Sequence, residues 1–241
     1  MAMEERLHTT AMSQDGVFNS QDAARVGVNS DEITRMIRRR EIVRVRRGAY
    51  VLSSVYAAAK PSTQHRLRVL AVLHSRPDGD RASHQSALVM HGLATYDVDE
   101  RTIEIETPKT DRRRIRRSLA TNPWSGGNTW SLGTHLCVSP ARACVQVAAS
   151  GFMAALCAMD SALNREKCTV DELRAAAATL SPIRRTVATR AIEAADDKCE
   201  SPGETRTASS SSTQGSPWSA STRYDSAPDP PGGRTSSSMA A

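Results

Sequence analysis

Asn29-Ser30-Asp31-Glu32 marks a helix start within residues 18–52. An Asn followed three residues later by Glu is a capping box. The Asn side chain accepts from orphan N–H groups at the helix start, and the Glu reaches back to the Asn N–H. Gly27 separates this helix, which runs from Ser30 to about Arg40, from a shorter one that opens at Asn19-Ser20 and runs through Arg25. Residues 42–52 then read as two short strands around Arg47-Gly48. Helix, glycine turn, capped helix and hairpin in succession predict a winged helix-turn-helix over residues 1–57.

The second helix carries the informative side chains. At about 100° per residue, Ile33, Met36 and Ile37 share one face. Thr34, Arg35 and Arg38 lie opposite, with Arg39 at the margin. Asp31 points the same way and opposes phosphate. The strands add Arg44, Arg46 and Arg47. Residues 33–47 hold seven Arg against one acid, Glu41. A winged helix lays its second helix in the major groove and its wing along the backbone or minor groove. Arg forks onto guanine O6/N7 with two hydrogen bonds, while phosphate contacts set orientation. The candidate DNA-binding residues are Ser30, Thr34, Arg35, Arg38, Arg39, Arg44, Arg46 and Arg47. Arg35 and Arg38 are placed for bases, and Arg44 and Arg46 for phosphate. The alternative is a solvated basic helix face.

Composition agrees with a polyanionic partner. The net charge is +6, and 28 of the 32 basic residues are Arg, the lysines being Lys60, Lys109, Lys167 and Lys198. Guanidinium forks suit phosphate, although abundant Arg and Ala are also what a GC-rich coding sequence produces. Aromatics make up only 4%, which argues against a surface of stacking rings. No run of about 18 apolar residues exists, so no membrane span is expected. The N-terminus lacks the pattern of a secretory signal. Five Cys form no CxxC pair, and with no export signal they read as reduced thiols in a cytoplasmic protein. The six scattered His show no zinc spacing. No metal or cofactor is expected.

The remainder reads as a helix-rich α/β domain over residues 62–197, for partner contact or dimerisation. Helices are expected at 62–76 (Ser62 as cap; Leu67, Leu70 and Leu73 inward), 83–92, from Ser139-Pro140, and at 152–164, 170–179 and 182–196. Thr169 and Glu172 form a second capping box. Residues 102–107 alternate as a half-buried strand, and 129–138 form another strand region. Glu104, Glu106 and Lys109 loosely resemble a nuclease strand, but the acids fall where solvent-facing residues belong. Ser83 or Ser86 with His84 or His91 shows no base–orienter pattern. Residues 111–117, with five Arg and one acid, form either a second nucleic-acid contact or an exposed loop. Residues 201–241 hold no Leu, Ile, Val or Phe, and 31 of these 41 are Ser, Thr, Gly, Pro or Ala. Such a segment cannot offset its ordering entropy, so a disordered tail is expected. The fold class is therefore mainly α with small β elements: an N-terminal winged helix, a helix-rich α/β domain and a disordered C-terminal tail.

The run Gly16-Val17-Phe18 through Ile42-Val43-Arg44-Val45-Arg46-Arg47-Gly48-Ala49-Tyr50-Val51 resembles the N-terminal domain of AbiEi-type antitoxins of type IV toxin–antitoxin systems, especially actinobacterial members. Ser83-His84-Gln85-Ser86-Ala87, His91-Gly92-Leu93, Val138-Ser139-Pro140-Ala141-Arg142 and Glu200-Ser201-Pro202-Gly203-Glu204 extend the resemblance over residues 14–205. It implies a winged-helix DNA-binding domain that autoregulates an operon and, in some members, neutralises a nucleotidyltransferase toxin. In many such chains the Ser-Pro-Gly-Glu motif opens a Vsr-like nuclease domain of the PD-(D/E)XK type. Neither its aliphatic helix nor its carboxylate-bearing strands follow Arg206 here, so Glu204 is not assigned as catalytic. The expected function is a non-enzymatic, sequence-specific transcriptional regulator. Its partners would be double-stranded operator DNA, with a toxin protein and a second copy of the chain as further candidates, and no membrane. The rivals are a remnant of a DNA-targeting nuclease, and a toxin-binding protein with little DNA contact.

Overall fold

The computed structural model describes residues 3–196, apart from 98, 100 and 125; the expected tail over residues 201–241 lies outside the described residues. The first unit opens with a helix absent from the expectations, α1 (Met3–Met12), which places Leu7 and Ala11, four residues apart, fully in the core. Strand β1 (Val17–Asn19) follows, then α2 (Ser20–Arg25), α3 (Ser30–Arg38), β2 (Ile42–Arg46) and β3 (Ala49–Leu52). The three strands pair antiparallel in the order β1-β3-β2. Gly16, just before β1, has φ +82°, and a Cβ there would lie 2.9 Å from Val55 Cγ2. Both the backbone angle and the close approach call for glycine.

All four residues of β3 are buried. Side chains alternate across a strand, and here both sides are covered. Tyr50 and Leu52 join a core with Leu7, Ala11, Phe18, Ala23, Val28, Ile33, Met36 and Ile42. The Phe18 and Tyr50 rings stack at 5.2 Å. Ala49 and Val51, with Val17 of β1, belong instead to the core built around α5 (Pro61–His74). Between β3 and α5 lies the short helix α4 (Ser53–Ala58). Helix α5 buries His65, Leu67, Val69, Leu70, Ala71, Val72 and Leu73, most of its circumference. It begins with Pro61 at its first turn and Lys60 as cap residue, not at Ser62. It lies between the small sheet and the second unit, so the two expected units share one core across it.

The second unit is a six-stranded mixed sheet with helices. Its strands are β4 (Arg81–Ala82), β5 (Ile103–Thr107), β6 (Arg114–Arg116), β7 (Leu119–Pro123), β8 (Thr129–Leu132) and β9 (His135–Val138). The order is β6-β7-β5-β4-β9-β8, with β5–β7 and β4–β9 parallel and the other pairs antiparallel. Residues 129–138 thus make a hairpin, and residues 114–123, for which no strand was expected, make another. The β6–β7 turn consists of Arg117 and Ser118, both at positive φ (48° and 59°). Two-residue hairpin turns of that shape normally advertise themselves with Asn-Gly or Asp-Gly, and this one does not.

The helices are α6 (His84–His91), α7 (Pro140–Gln146), a 3-10 turn (Val147–Ser150), α8 (Phe152–Asn164), α9 (Val170–Ala178) and α10 (Pro182–Ala194). Their expected signals are in place. Gly92 ends α6 at φ 71°, Ser139 Oγ accepts from the Arg142 N–H, Pro140 opens α7, and Thr169 and Glu172 form a capping box. The protein is helix-rich with small sheets.

Candidate nucleic-acid interface

Helix α3 is fixed at both ends by its own sequence. Asn29 Oδ1 accepts from the N–H groups of Asp31 and Glu32, each at 3.0 Å, and Glu32 Oε2 accepts from the Asn29 N–H at 2.8 Å. At the other end the Arg40 N–H donates to the Ile37 carbonyl and the Glu41 N–H to the Met36 carbonyl, each at 3.0 Å. That is a Schellman cap. Its left-handed position, usually glycine, is Arg40 at φ 60°.

The caps set the rotation of the helix. Ile33 and Met36 are buried at 7% exposure and Ile37 packs against the same core. Ser30, Thr34, Arg35, Arg38 and Arg39 are exposed, and so is Asp31. The Thr34 hydroxyl donates to the Ser30 carbonyl at 2.8 Å. Arg39 faces Glu41 across 3.9 Å at the surface, a pairing worth little in water. Among the described residues Arg35 and Arg38 have no acidic partner within salt-bridge distance.

In the wing, Arg44 and Arg47 are exposed. Arg46, expected to contact phosphate, is engaged within the protein. It is half-buried, and its Nη1 donates to the carbonyls of Arg116 (2.8 Å) and Arg117 (2.9 Å) on the β6–β7 hairpin. Burial is the first cause that lowers its pKa, and the charges of Arg76 and Arg117 add to it. The register of β2 against β3 shifts between Arg44 and Arg46, a bulge of the kind that re-aims side chains.

The acidic pair of β5 departs from expectation. Glu104 and Glu106 are 5% and 2% exposed, not solvent-facing. Strand β5 is internal to the sheet and covered on both sides. Ile103 and Ile105 enter the aliphatic core, and the carboxylates on the other face meet cations from distant segments. Arg113 Nη2 donates to Glu104 Oε1 at 2.8 Å. Arg142 Nη2 donates to both Glu106 oxygens at 3.0 and 3.1 Å, and Gln146 Nε2 to Oε1 at 2.5 Å. A buried carboxylate persists only when paired and hydrogen-bonded. An acid inside an Ile-x-Ile strand was the available signal that cations converge here.

His84 is held beside Glu104, its Nδ1 3.0 Å from Glu104 Oε2 and 3.1 Å from Ser83 Oγ. Both contacts fall on one ring nitrogen. A serine–base–carboxylate relay needs opposite nitrogens, so this geometry does not form one. Burial pushes the His84 pKa down to about 4 against the raising effect of Glu104, with Arg184, Arg113 and Arg142 adding to the fall. His91 Nε2 lies 2.8 Å from the Val138 carbonyl, which ties α6 to β9. Among the described residues no group of three or more His, Cys, Asp or Glu could hold a metal ion. Among the described residues Cys137, Cys144, Cys157 and Cys168 are buried and form no disulfide. No helix among the described residues is long and apolar enough to cross a membrane.

No curated protein matches the chain. Among solved structures the chain is similar to the crystal structure of the RV2827C protein from Mycobacterium tuberculosis, at 14% identity and a TM-score of 0.47, over 86% of this chain and 80% of that one. Residues 5–53, which include α2, α3 and the hairpin β2–β3, match the model of a family described as transcriptional regulator, AbiEi antitoxin.

Proposed function

We propose that the protein is a sequence-specific DNA-binding transcriptional regulator of antitoxin type. It acts in the cytoplasm, autoregulates its own operon, and neutralises a nucleotidyltransferase toxin through residues 62–197. One observation carries the DNA-binding part: α3 is capped at both ends, buries Ile33 and Met36, and leaves Arg35 and Arg38 exposed, with no acidic partner among the described residues. Exposed guanidiniums on the second helix of a helix-turn-helix are what major-groove reading requires. The family match over residues 5–53 supports the regulatory part.

In this reading Arg35 and Arg38 contact base edges, with Thr34 and Ser30 beside them. Arg39, Arg44 and Arg47 contact phosphate. Arg46 positions the wing through the Arg116 and Arg117 carbonyls. No catalytic step is assigned, because Glu104 and Glu106 are each engaged by guanidinium groups.

The test is binding-site selection from a random duplex pool, followed by titration of the selected site against a scrambled duplex at several salt concentrations. Specific regulators bind their sites about 10³–10⁷-fold more tightly than other DNA. Equal affinity for both duplexes would refute sequence-specific regulation. Metal-dependent cleavage of supercoiled DNA that disappears in Glu104→Gln would replace the regulator reading with a nuclease.

A further inference from the structure

We infer that the β6–β7 hairpin, through the arginines of residues 112–117, is a second DNA-backbone contact held in line with the wing by Arg46; this rests on the DNA-binding reading of α3. Every residue from 111 to 118 is exposed. Strand β6 is the edge of its sheet. Of the five Arg in residues 112–117, Arg113 is spent on Glu104. Among the described residues Arg112, Arg114, Arg116 and Arg117 have no acidic partner within salt-bridge distance.

The hairpin is joined to the winged helix and not merely near it. Arg46 Nη1 donates to two successive carbonyls of the turn, Arg116 and Arg117, at 2.8 and 2.9 Å. This contact brings the Arg46 and Arg117 guanidiniums within electrostatic reach of each other, with Arg76 also nearby. Holding like charges together works against folding, and the Arg116 and Arg117 carbonyls offset it at Arg46. The turn adds to that cost, since Arg117 and Ser118 both hold positive φ, an unfavourable region for residues with a side chain. An exposed Arg array tied to the wing matches a polyanion whose charges repeat regularly. Duplex DNA carries one charge per about 1.7 Å of axis, so a strip of guanidiniums meets several phosphates at once. Arg114 and Arg116, two apart on a strand, fall on one face and form the core of the strip.

The experiment uses the full chain with two fluorescein-labelled duplexes, the site selected from the random pool and a scrambled one. Salt dependence of binding is measured for the wild type, for Arg38→Ala, for the triple variant Arg114→Gln/Arg116→Gln/Arg117→Gln, and for the same three positions changed to Lys. Each phosphate contact contributes about 0.9 to the slope of log K against log salt. The Gln triple variant is expected to lower the slope by about 2 to 3 and to leave discrimination between selected and scrambled sites unchanged. The Lys variant is expected to keep the wild-type slope, which separates charge from any effect on folding. If the Gln variant keeps the slope while Arg38→Ala weakens binding to the selected site, the hairpin contact is overturned and the α3 reading stands. If wild type binds no duplex DNA, the α3 reading fails and this inference falls with it. A slope change seen with duplex RNA but absent with DNA also overturns it.

Discussion

His74 Nε2 lies 2.6 Å from Asp22 Oδ2, and this contact ties the helix-turn-helix to the central helix α5. The same carboxylate oxygen accepts from the Asn19 N–H at 2.9 Å, closing the capping box of α2. Asn19 Nδ2 returns to the His74 carbonyl at 2.9 Å. Asp22 is only 4% exposed, so one buried carboxylate both starts α2 and docks it. Replacing Asp22 by Ala is expected to cost about 1–3 kcal/mol, the scale of leaving buried hydrogen-bonding groups unsatisfied, with a cap lost as well. Urea denaturation of the variant checks this, and a loss below about 1 kcal/mol would show that α5 and α2 are held by the apolar core alone.

Arg38→Ala is expected to lose about 1–3 kcal/mol of binding to a selected site and to relax preference at one base position. Arg44→Ala should instead weaken all sequences alike and reduce the salt slope by about 1. Fluorescence anisotropy on a panel of single-base variants separates the two patterns.

Arg40 occupies the left-handed position of the Schellman cap of α3 at φ 60°. Gly carries no steric penalty there, whereas an L residue pays roughly 1–2 kcal/mol, partly offset by the greater unfolded-state entropy of Gly. Arg40→Gly should therefore raise stability by about 0.5–1 kcal/mol. A rise in thermal midpoint is the expected reading, and a fall would mean that the Arg40 side chain itself supports the fold.

Glu106 is held by Arg142 and Gln146 in the interior. Glu106→Ala leaves the Arg142 guanidinium without that carboxylate and is expected to destabilise by about 3–5 kcal/mol. Circular-dichroism melting checks it. A variant that melts like wild type would remove the structural role assigned to Glu106.

The His84 pKa is lowered from its ordinary value of 6.5 to about 4 in the folded protein, chiefly by burial. The unfolded chain then binds the proton more readily between those values. Stability from this group is fully present above about pH 6.5 and is lost as pH falls toward 4, by about 3 kcal/mol in total. Denaturation at pH 7 and pH 4.5 should show this loss in the wild type, and His84→Gln should remove this component of it. Equal pH dependence in both would assign the loss to other groups.

What the sequence determined by itself is local and short in range. The Asn29–Glu32 and Thr169–Glu172 boxes, Pro140 after Ser139, and Gly92 after His91 mark helix ends, because each cap acts within four residues. The apolar face of α3 was legible for the same reason, since Ile33 and Met36 lie one turn apart. Tertiary structure decided the rest. The burial of Glu104 and Glu106 depended on Arg113 and Arg142, which the sheet order brings to β5 from later in the chain. Strands β6 and β7 were hidden by a turn of Arg117 and Ser118 whose backbone angles no local residue announces. The fold sets Arg46 against the carbonyls of Arg116 and Arg117, 70 and 71 residues away, a contact the local sequence does not announce. Only long-range packing brings such groups together, so no pattern read along a short window contains it.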